Sequence, residues 1–238
     1  MTAPRKAMVL AAGLGKRMRP ITDTMPKPLV PIAGRTLLDR GLDMLAAAGI
    51  DEAVVNVHHL GHQIERHVAA RERPRITVSD ESERLLDSAG GIVRALPLLG
   101  DDPFFVLNAD TFWVDREEQN LARLALAWDA RHMDILLMLA DLADATGHTG
   151  GTDFLLAEDG RLAWARGSAD GLVYAGAAIL DPRIFAGASP EPHSLLDYFN
   201  RAMSAGRLFG MRMTGHWITV GTPDAIPQAE AAVAKHSR

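Results

Sequence analysis

A turn rich in glycine and positive charge follows the first apolar run of the chain. The segment VLAAGLGKRMRPIT at 9–22 contains Gly13 and Gly15, which are followed by Lys16 and Arg17. Glycines let the backbone turn sharply and bring free N–H groups close to a ligand. Neighbouring cations suit a polyphosphate, so the segment predicts an anion site; solvated cations on an ordinary turn are the alternative.

Another basic residue, Lys27, lies in the segment MPKPLVPIAG at 25–34. Pro26 and Pro28 restrict the backbone on both sides, which lowers the entropy lost when the lysine side chain is held in one place. A solvated lysine needs no such restriction, but prolines are also used simply to shape a loop. We interpret Lys27 as a further phosphate ligand.

Two common phosphate-binding motifs do not match this part of the sequence. A P-loop requires Gly-x4-Gly-Lys-Ser/Thr, which the segment 9–22 does not contain. The dinucleotide-binding fingerprint requires a third glycine where Met18 stands, so a nicotinamide cofactor is not expected. The sequence therefore indicates a different kind of phosphate site.

Composition narrows the class of protein. The 238 residues are 47% hydrophobic and 23% charged, as expected for one globular domain over 1–238. The formal net charge of −5 argues against nucleic-acid binding, and the lack of cysteine excludes disulfides, thiolate metal sites and cysteine nucleophiles. With no long apolar run and no signal-peptide pattern, we expect a cytoplasmic protein that does not bind membranes.

Apolar runs alternate with helical patterns over the first part of the chain. Strands are predicted at Ala7–Ala11, Ala53–Val57, Ile76–Val78, Phe104–Leu107 and Asp134–Ala140, and helices at Leu37–Ala48 with Thr36 as N-cap, Gln63–Ala70, Ile92–Leu98 and Leu121–Ala130. This alternation predicts an α/β fold with a doubly wound, mostly parallel, Rossmann-like sheet flanked by helices. Ligands are then expected at the carboxyl ends of the strands.

Shorter strands are predicted after Gly147. They lie at Phe154–Ala157, Leu162–Ala165, Leu172–Leu180 and Leu208–Met213, with helices at Pro182–Phe185, at Leu195–Ala205 and from about Pro223. The second half therefore reads as a smaller β-rich part. No linker separates it from the first half.

The glycine- and lysine-containing segments resemble a signature of the sugar-phosphate nucleotidyltransferases, which join a sugar 1-phosphate to a nucleoside triphosphate. The resemblance continues in family order through AAAGIDEAVVNVHHLGHQIERHV, SAGGIVRALPLL, FFVLNADTF and GHWITVGT. It implies a nucleotide-binding part at about 1–115 and a sugar-phosphate-binding part at about 116–238. The compact length is most similar to the N-acetylmuramate 1-phosphate uridylyltransferases, with short mannose 1-phosphate guanylyltransferases as rivals.

The resemblance also implies roles for particular residues. Arg17 would stabilise the leaving pyrophosphate, and Lys27 would neutralise charge at the α-phosphate or the sugar phosphate. The nucleotide-binding residues implied are Ala11, Ala12, Gly13, Gly15, Lys16, Arg17, Lys27, Gly90 and Asn108. Such a transfer depends on positioning and charge neutralisation and requires no protein nucleophile.

Positions 110 and 219 are the predicted ligand positions for Mg²⁺. Asp110 ends an apolar strand, where a carboxylate can bind Mg²⁺ together with phosphate oxygens; a turn aspartate is the alternative. The family pattern ordinarily has an aspartate where Thr219 stands, and a hydroxyl is a poorer Mg²⁺ ligand. We expect water to replace that carboxylate. The alternatives are that Asp224 reaches the site, or that the chain binds nucleotide and does little chemistry.

Four residues are predicted to contact the sugar phosphate: Asn56, His58, Asp153 and Gly176. A turn role for Asp153 and a packing role for Gly176 are the alternatives. The histidines around His58 match no standard zinc spacing and are interpreted as solvated or capping residues.

The function predicted from the sequence is Mg²⁺-dependent joining of UTP and N-acetylmuramate 1-phosphate, giving UDP-N-acetylmuramate and pyrophosphate in peptidoglycan recycling. One alternative is guanylyl or thymidylyl transfer to a hexose 1-phosphate such as mannose 1-phosphate. An alternative of another class is a catalytically weakened nucleotide-binding regulatory relative. The expected partners are a nucleoside triphosphate and a sugar 1-phosphate, and the chain is expected to be a monomer or a small homo-oligomer.

Overall fold

A computed structural model describes residues 4–237. The strands are Lys6–Leu10 (β1), Pro31–Ile32 (β2), Arg35–Thr36 (β3), Glu52–Val57 (β4), Arg75–Asp80 (β5), Phe104–Asn108 (β6), Thr111–Val114 (β7), Ile135–Ala140 (β8), Ala145–Thr146 (β9), Phe154–Leu156 (β10), Leu162–Trp164 (β11), Val173–Leu180 (β12), Leu208–Arg212 (β13) and His216–Thr219 (β14). The α-helices are Leu37–Ala47 (α1), Gly61–Val68 (α2), Asp87–Leu99 (α3), Asn120–Ala127 (α4), Leu196–Ser204 (α5) and Ala225–His236 (α6). Within this described part, no helix has the length and apolar character needed to cross a membrane.

The central sheet has seven strands in the order β13-β8-β12-β6-β1-β4-β5. Neighbouring strands are parallel, except that β12 runs antiparallel to both β6 and β8. The predicted mostly parallel sheet is therefore confirmed. Strands β8, β12 and β13 come from the second half of the chain, so both halves contribute to one sheet.

Helices cover both faces of this sheet. Leu42 of α1, Ile64 of α2 and Leu124 of α4 pack in one buried apolar cluster. Ile92 of α3 and Phe199 of α5 pack in a second cluster with the other face of the strands. Burial of apolar side chains on both faces explains why the strands read as nearly continuous hydrophobic runs.

The register of the parallel strands aligns three strand ends. Leu10 in β1 lies opposite Asn56 in β4 on one side and opposite Asn108 in β6 on the other. Because parallel strands leave the sheet at the same edge, the segments that follow β1, β4 and β6 converge there.

A smaller sheet, in the order β7-β14-β9, was not predicted from the sequence. In it, Thr219 of β14 pairs with Thr111 of β7, directly after Asp110. The Val220 N–H also donates to the Asp110 carbonyl at 3.1 Å. This sheet therefore brings the GHWITVGT segment to the carboxyl end of β6, although more than a hundred residues separate them in sequence.

Two of the predicted helices differ most from the structure, one in extent and one in type. Helix α3 begins at Asp87 instead of Ile92, because the His193 carbonyl accepts the N–H groups of Ala89 and Gly90 in its first turn. The segment Pro182–Phe185 forms a 3₁₀ turn instead of an α-helix. The earlier start of α3 depends on a hydrogen-bond acceptor from a distant segment, which the local sequence does not reveal.

The N-cap of α1 gives a first prediction. The Thr36 hydroxyl accepts the Asp39 N–H at 3.0 Å, as the sequence predicted. We expect Thr36→Ala to lower the free energy of unfolding by about 1 kcal/mol, because the amide loses its partner. Urea unfolding would measure this as a lower midpoint with an unchanged slope. The control is Thr36→Ser, which keeps the hydroxyl; equal losses in both variants would contradict the capping role.

Candidate active site

A cavity of about 510 Å³ lies at the edge of the sheet where β1, β4 and β6 end. Its walls come from residues 10–13, from residues 108–110, from Leu85, Asp87 and Ser88, and from Lys27 and Asn56, with two prolines. The volume is in the range of small-molecule sites. The cavity therefore lies where the strand order predicted a ligand.

Lys27 and Asp110 meet on the wall of this cavity. The Lys27 Nζ donates to Asp110 Oδ2 at 2.6 Å, although the residues are 83 positions apart. The lysine side chain is 12% exposed and the aspartate side chain 39% exposed. The ion pair keeps a mostly buried ammonium group at the cavity and leaves the carboxylate partly open to it.

The two glycines of the basic turn have different surroundings. Gly13 lines the cavity, and a Cβ there would meet nothing within 4 Å, so the backbone is open to a ligand. Gly15 has φ of +59°, and a Cβ there would lie 2.9 Å from Thr22 Cγ2 and 3.1 Å from Lys27 Cβ. Gly15 is thus explained by its left-handed backbone and by close packing against the segment that carries Lys27.

Arg17 and Lys16 lie in an exposed 3₁₀ turn, outside the residues that line the cavity. The Arg17 guanidinium faces the segment after β14, since a Cβ on Gly221 would lie 3.6 Å from its terminal nitrogens. That segment is hydrogen-bonded to the Asp110 carbonyl through Val220. Arg17 therefore lies on the side of the site where β7 and β14 meet.

Thr219 is half-buried beside the segment that follows β6, where the resemblance expected a metal ligand. Asp224 is exposed at the start of α6 and does not line the cavity. Among the cavity-lining residues the acidic ones are Asp87 and Asp110. The pairing of β7 with β14 thus sets Thr219 opposite Thr111, the residue that follows Asp110.

Asn56 forms a buried hydrogen-bonded junction beneath the cavity. Its side chain is 2% exposed, Oδ1 accepts the Ala11 N–H at 2.7 Å, and Nδ2 donates to Glu81 Oε1 at 2.6 Å. Glu81 was missed by the sequence reasoning. A usable signal existed, because Glu81 directly follows β5, while Asn56 is the penultimate residue of β4 and Asp110 lies two residues after β6.

The other predicted sugar-phosphate residues lie outside the cavity lining. His58 Nδ1 lies 2.7 Å from the Glu81 carbonyl, and Asp153 Oδ2 accepts the Tyr174 N–H at 2.9 Å. Gly176 has φ of +80° at an irregularity in β12, where a Cβ would collide with Thr111 Oγ1. These contacts supply structural reasons for all three residue types, and sugar contact by them stays a prediction.

The remaining predicted nucleotide-binding residues divide in the same way. Ala11, Ala12 and Asn108 line the cavity. Gly90 does not, and a Cβ there would collide with the Glu191 carbonyl. Gly90 therefore permits a close approach between α3 and the backbone of Glu191, and its contact with nucleotide stays a prediction.

Comparisons with known proteins agree with this architecture. A family model described as nucleotidyl transferase matches residues 6–148. An N-acetylmuramate alpha-1-phosphate uridylyltransferase from Caulobacter vibrioides is 43% identical over 98% of this chain and 98% of that protein. A protein of the same name from Neisseria meningitidis serogroup B is 36% identical over 95% of this chain and 97% of its own length.

A solved structure of UDP-glucose pyrophosphorylase complexed with UDP-glucose has the same fold. Its TM-score is 0.77 at 19% identity, and the match covers 99% of this chain and 100% of that chain. The family model covers more than half of the chain, and the relatives match it over nearly its whole length. The chain belongs to the nucleotidyl transferase family, among the sugar-phosphate nucleotidyltransferases.

Proposed function

We propose that this chain transfers the uridylyl group of UTP to N-acetylmuramate 1-phosphate. An oxygen of the sugar phosphate attacks the α-phosphorus, the bond from that phosphorus to the bridging oxygen breaks, and pyrophosphate leaves. The products are UDP-N-acetylmuramate and pyrophosphate. The main support is the 43% identity to a uridylyltransferase of that name over 98% of both chains. The cavity also supports the proposal, because a cation, Lys27, and a carboxylate, Asp110, meet on its wall.

In this proposal, cationic side chains balance the phosphate charge. Lys27 exchanges its bond to Asp110 for phosphate oxygens, which neutralises charge near the α-phosphate. Arg17, exposed on the neighbouring turn, contacts the pyrophosphate as it leaves. The open backbone at Gly13 approaches the nucleotide. Positive groups that contact the phosphates stabilise the negative charge that develops in the transition state.

The residues present fit a magnesium ion that is bound jointly with substrate. Mg²⁺ is commonly held by one or two carboxylates together with substrate phosphates. Asp110 offers a partly exposed carboxylate on the cavity wall, and Thr219 lies opposite Thr111, the residue after Asp110. When bound, the metal would neutralise phosphate charge. In this proposal, Asp110 is its protein ligand and water takes the place of a second carboxylate.

Pyrophosphate release tests the proposed reaction. With Mg²⁺ present, UTP, GTP, dTTP, CTP and ATP are each combined with N-acetylmuramate 1-phosphate, mannose 1-phosphate and glucose 1-phosphate. We expect turnover to be fastest for UTP with N-acetylmuramate 1-phosphate. Preference for GTP or dTTP with a hexose 1-phosphate would replace the proposal with that alternative. Nucleotide binding with no turnover for any pair would favour the regulatory relative.

Lys27 gives a second prediction. We expect Lys27→Gln to reduce kcat/KM by about 10²–10³-fold, because the site loses a cation that faces the reacting phosphates. Steady-state pyrophosphate release measures the change. Lys235→Gln is the matched control, since it removes the same charge from an exposed position on α6. Similar losses in both variants would contradict a specific role for Lys27.

Thr219 gives a third prediction. We expect Thr219→Asp to lower the Mg²⁺ concentration needed for half-maximal rate by about tenfold, because a carboxylate is a stronger ligand than a hydroxyl. Magnesium titration of the turnover rate measures this. Thr214→Asp, which adds the same charge just before the first residue of β14, should leave the Mg²⁺ requirement unchanged. An unchanged requirement in Thr219→Asp would contradict placing the metal beside Thr219.

A further inference from the structure

The walls of the cavity come from chain segments that are distant in sequence, and one buried carboxylate joins two of them. Glu81 is 1% exposed. Its Oε1 accepts from Asn56 Nδ2 at 2.6 Å, and its Oε2 accepts the Leu86 N–H at 3.0 Å. Asn56 in turn accepts the Ala11 N–H at 2.7 Å. The carboxylate is thus connected to the turn after β1 and to the segment before α3.

We propose that Glu81 is a positioning residue of the nucleotide cavity, which fixes the Ala11 amide through Asn56 and fixes the neighbouring wall through the Leu86 amide. The proposal rests on the proposed function, in which this cavity binds the nucleotide. Glu81 itself does not line the cavity. It acts through residues on either side of it: Ala11 and Asn56 on one wall, and Leu85 and Asp87 next to Leu86 on the other.

The direction of these hydrogen bonds requires an acceptor at both oxygens of residue 81. The Ala11 N–H is a donor, so Asn56 must present its oxygen to Ala11 and its NH₂ group to Glu81. The Leu86 N–H is also a donor. A carboxylate accepts at both oxygens, whereas a glutamine in the same place would offer one acceptor and one donor. The Asn56 side-chain amide cannot rotate by 180° to restore the lost hydrogen bond, because its NH₂ group would then face the Ala11 N–H.

The backbone of Glu81 is held as firmly as its side chain. Its N–H donates to the Val57 carbonyl at 2.8 Å, and its carbonyl accepts the Arg84 N–H at 3.0 Å. His58 Nδ1 lies 2.7 Å from the same carbonyl. The backbone of Glu81 is therefore anchored to the end of β4, beside Asn56, by contacts that do not involve its carboxylate.

Helix α3 closes the junction from the other side. A Cβ on Gly91 would lie 2.6 Å from Glu81 Oε1 and 2.7 Å from Asn56 Nδ2. Only a residue without a side chain allows the helix to approach the pair so closely. The burial of an unexposed carboxylate is costly unless it is hydrogen-bonded, and here two N–H donors compensate it. A carboxylate in this position holds two walls of one cavity in register.

Glu81→Gln tests the proposal with little change in volume. We expect the Ala11 amide resonance to shift in ¹H–¹⁵N spectra of the ligand-free protein. We also expect the Kd for UTP with Mg²⁺, measured by calorimetry, to rise about tenfold, and KM for UTP to rise with it while kcat changes less. A native Ala11 resonance together with a native Kd would overturn the proposal.

An exchange of the amide and the carboxylate provides the matched control. In the double variant Asn56→Asp with Glu81→Gln, residue 56 accepts from Ala11 and from the glutamine NH₂, and the glutamine oxygen accepts from Leu86. Every donor again has an acceptor at the same net charge. Asn56→Asp alone sets two carboxylates against each other. We expect the double variant to bind UTP more tightly than the product of the two single fold changes in Kd predicts, and to unfold at a higher temperature than the sum of the two single shifts predicts.

The outcomes separate this proposal from the proposed reaction. If the UTP affinity and the unfolding temperature of the double variant are no higher than the two single effects together predict, the role given to Glu81 is overturned. If Glu81→Gln does not fold, the double variant must fold and bind UTP, and its failure to do so would also overturn the proposal. Native protein that binds UTP without turning over any sugar phosphate would contradict the proposed reaction alone, because the amide spectrum and the Kd are measured without turnover.

Discussion

The parallel pairing of β1 with β4 and β6 is the constraint on which the site depends. It sets Leu10 level with Asn56 and with Asn108, so the segments that follow these strands leave the sheet together. Strands of this kind are buried on both faces, and a shift of register by one residue would turn each side chain to the opposite face. The packing of the core therefore fixes the relative positions of residues that contact the cavity.

Two kinds of polar interaction are built on this frame, and they differ in environment. The Lys27–Asp110 pair lies on the cavity wall, where the aspartate side chain remains partly exposed. The Asn56–Glu81 pair is buried, with Asn56 in the wall and Glu81 behind it, and its donors and acceptors are matched inside the protein. The first arrangement suits residues that contact phosphate or metal. The second suits residues that hold the wall in place, because a broken bond in a buried network leaves an unsatisfied group.

The small sheet of β7, β14 and β9 adds a second part of the chain to the same edge. It fixes Thr219 next to the residue that follows Asp110, and it brings Gly221 against Arg17. The arrangement places a segment near the end of the chain beside a cavity whose lining, apart from Pro192, comes from the first half. The resemblance predicts an aspartate at position 219, where the structure has Thr219 in register with Thr111.

The sequence by itself determined the fold class, and it singled out Lys27 and Asp110 separately as candidate site residues. Alternating apolar and helical patterns are local properties, and the Thr36 cap depends on residues a few positions apart, so both could be predicted. The prolines beside Lys27 and the strand before Asp110 marked these residues without a structure. The landmarks of the resemblance lie in order along the chain, and they need no knowledge of contacts.

Tertiary structure alone decided the rest of the site. Glu81 belongs to the charged run DESER, and its position directly after β5 does not specify its partners; it is buried and hydrogen-bonded to Asn56 because β4, β5 and α3 converge there. The first turn of α3 depends on the carbonyl of His193, about a hundred residues away. Glycines 15, 90 and 176 were interpreted as openings for a ligand, whereas each also packs closely against another segment. Hydrogen-bond partners and close packing between distant segments arise only when the chain folds, because no local pattern specifies which groups will meet.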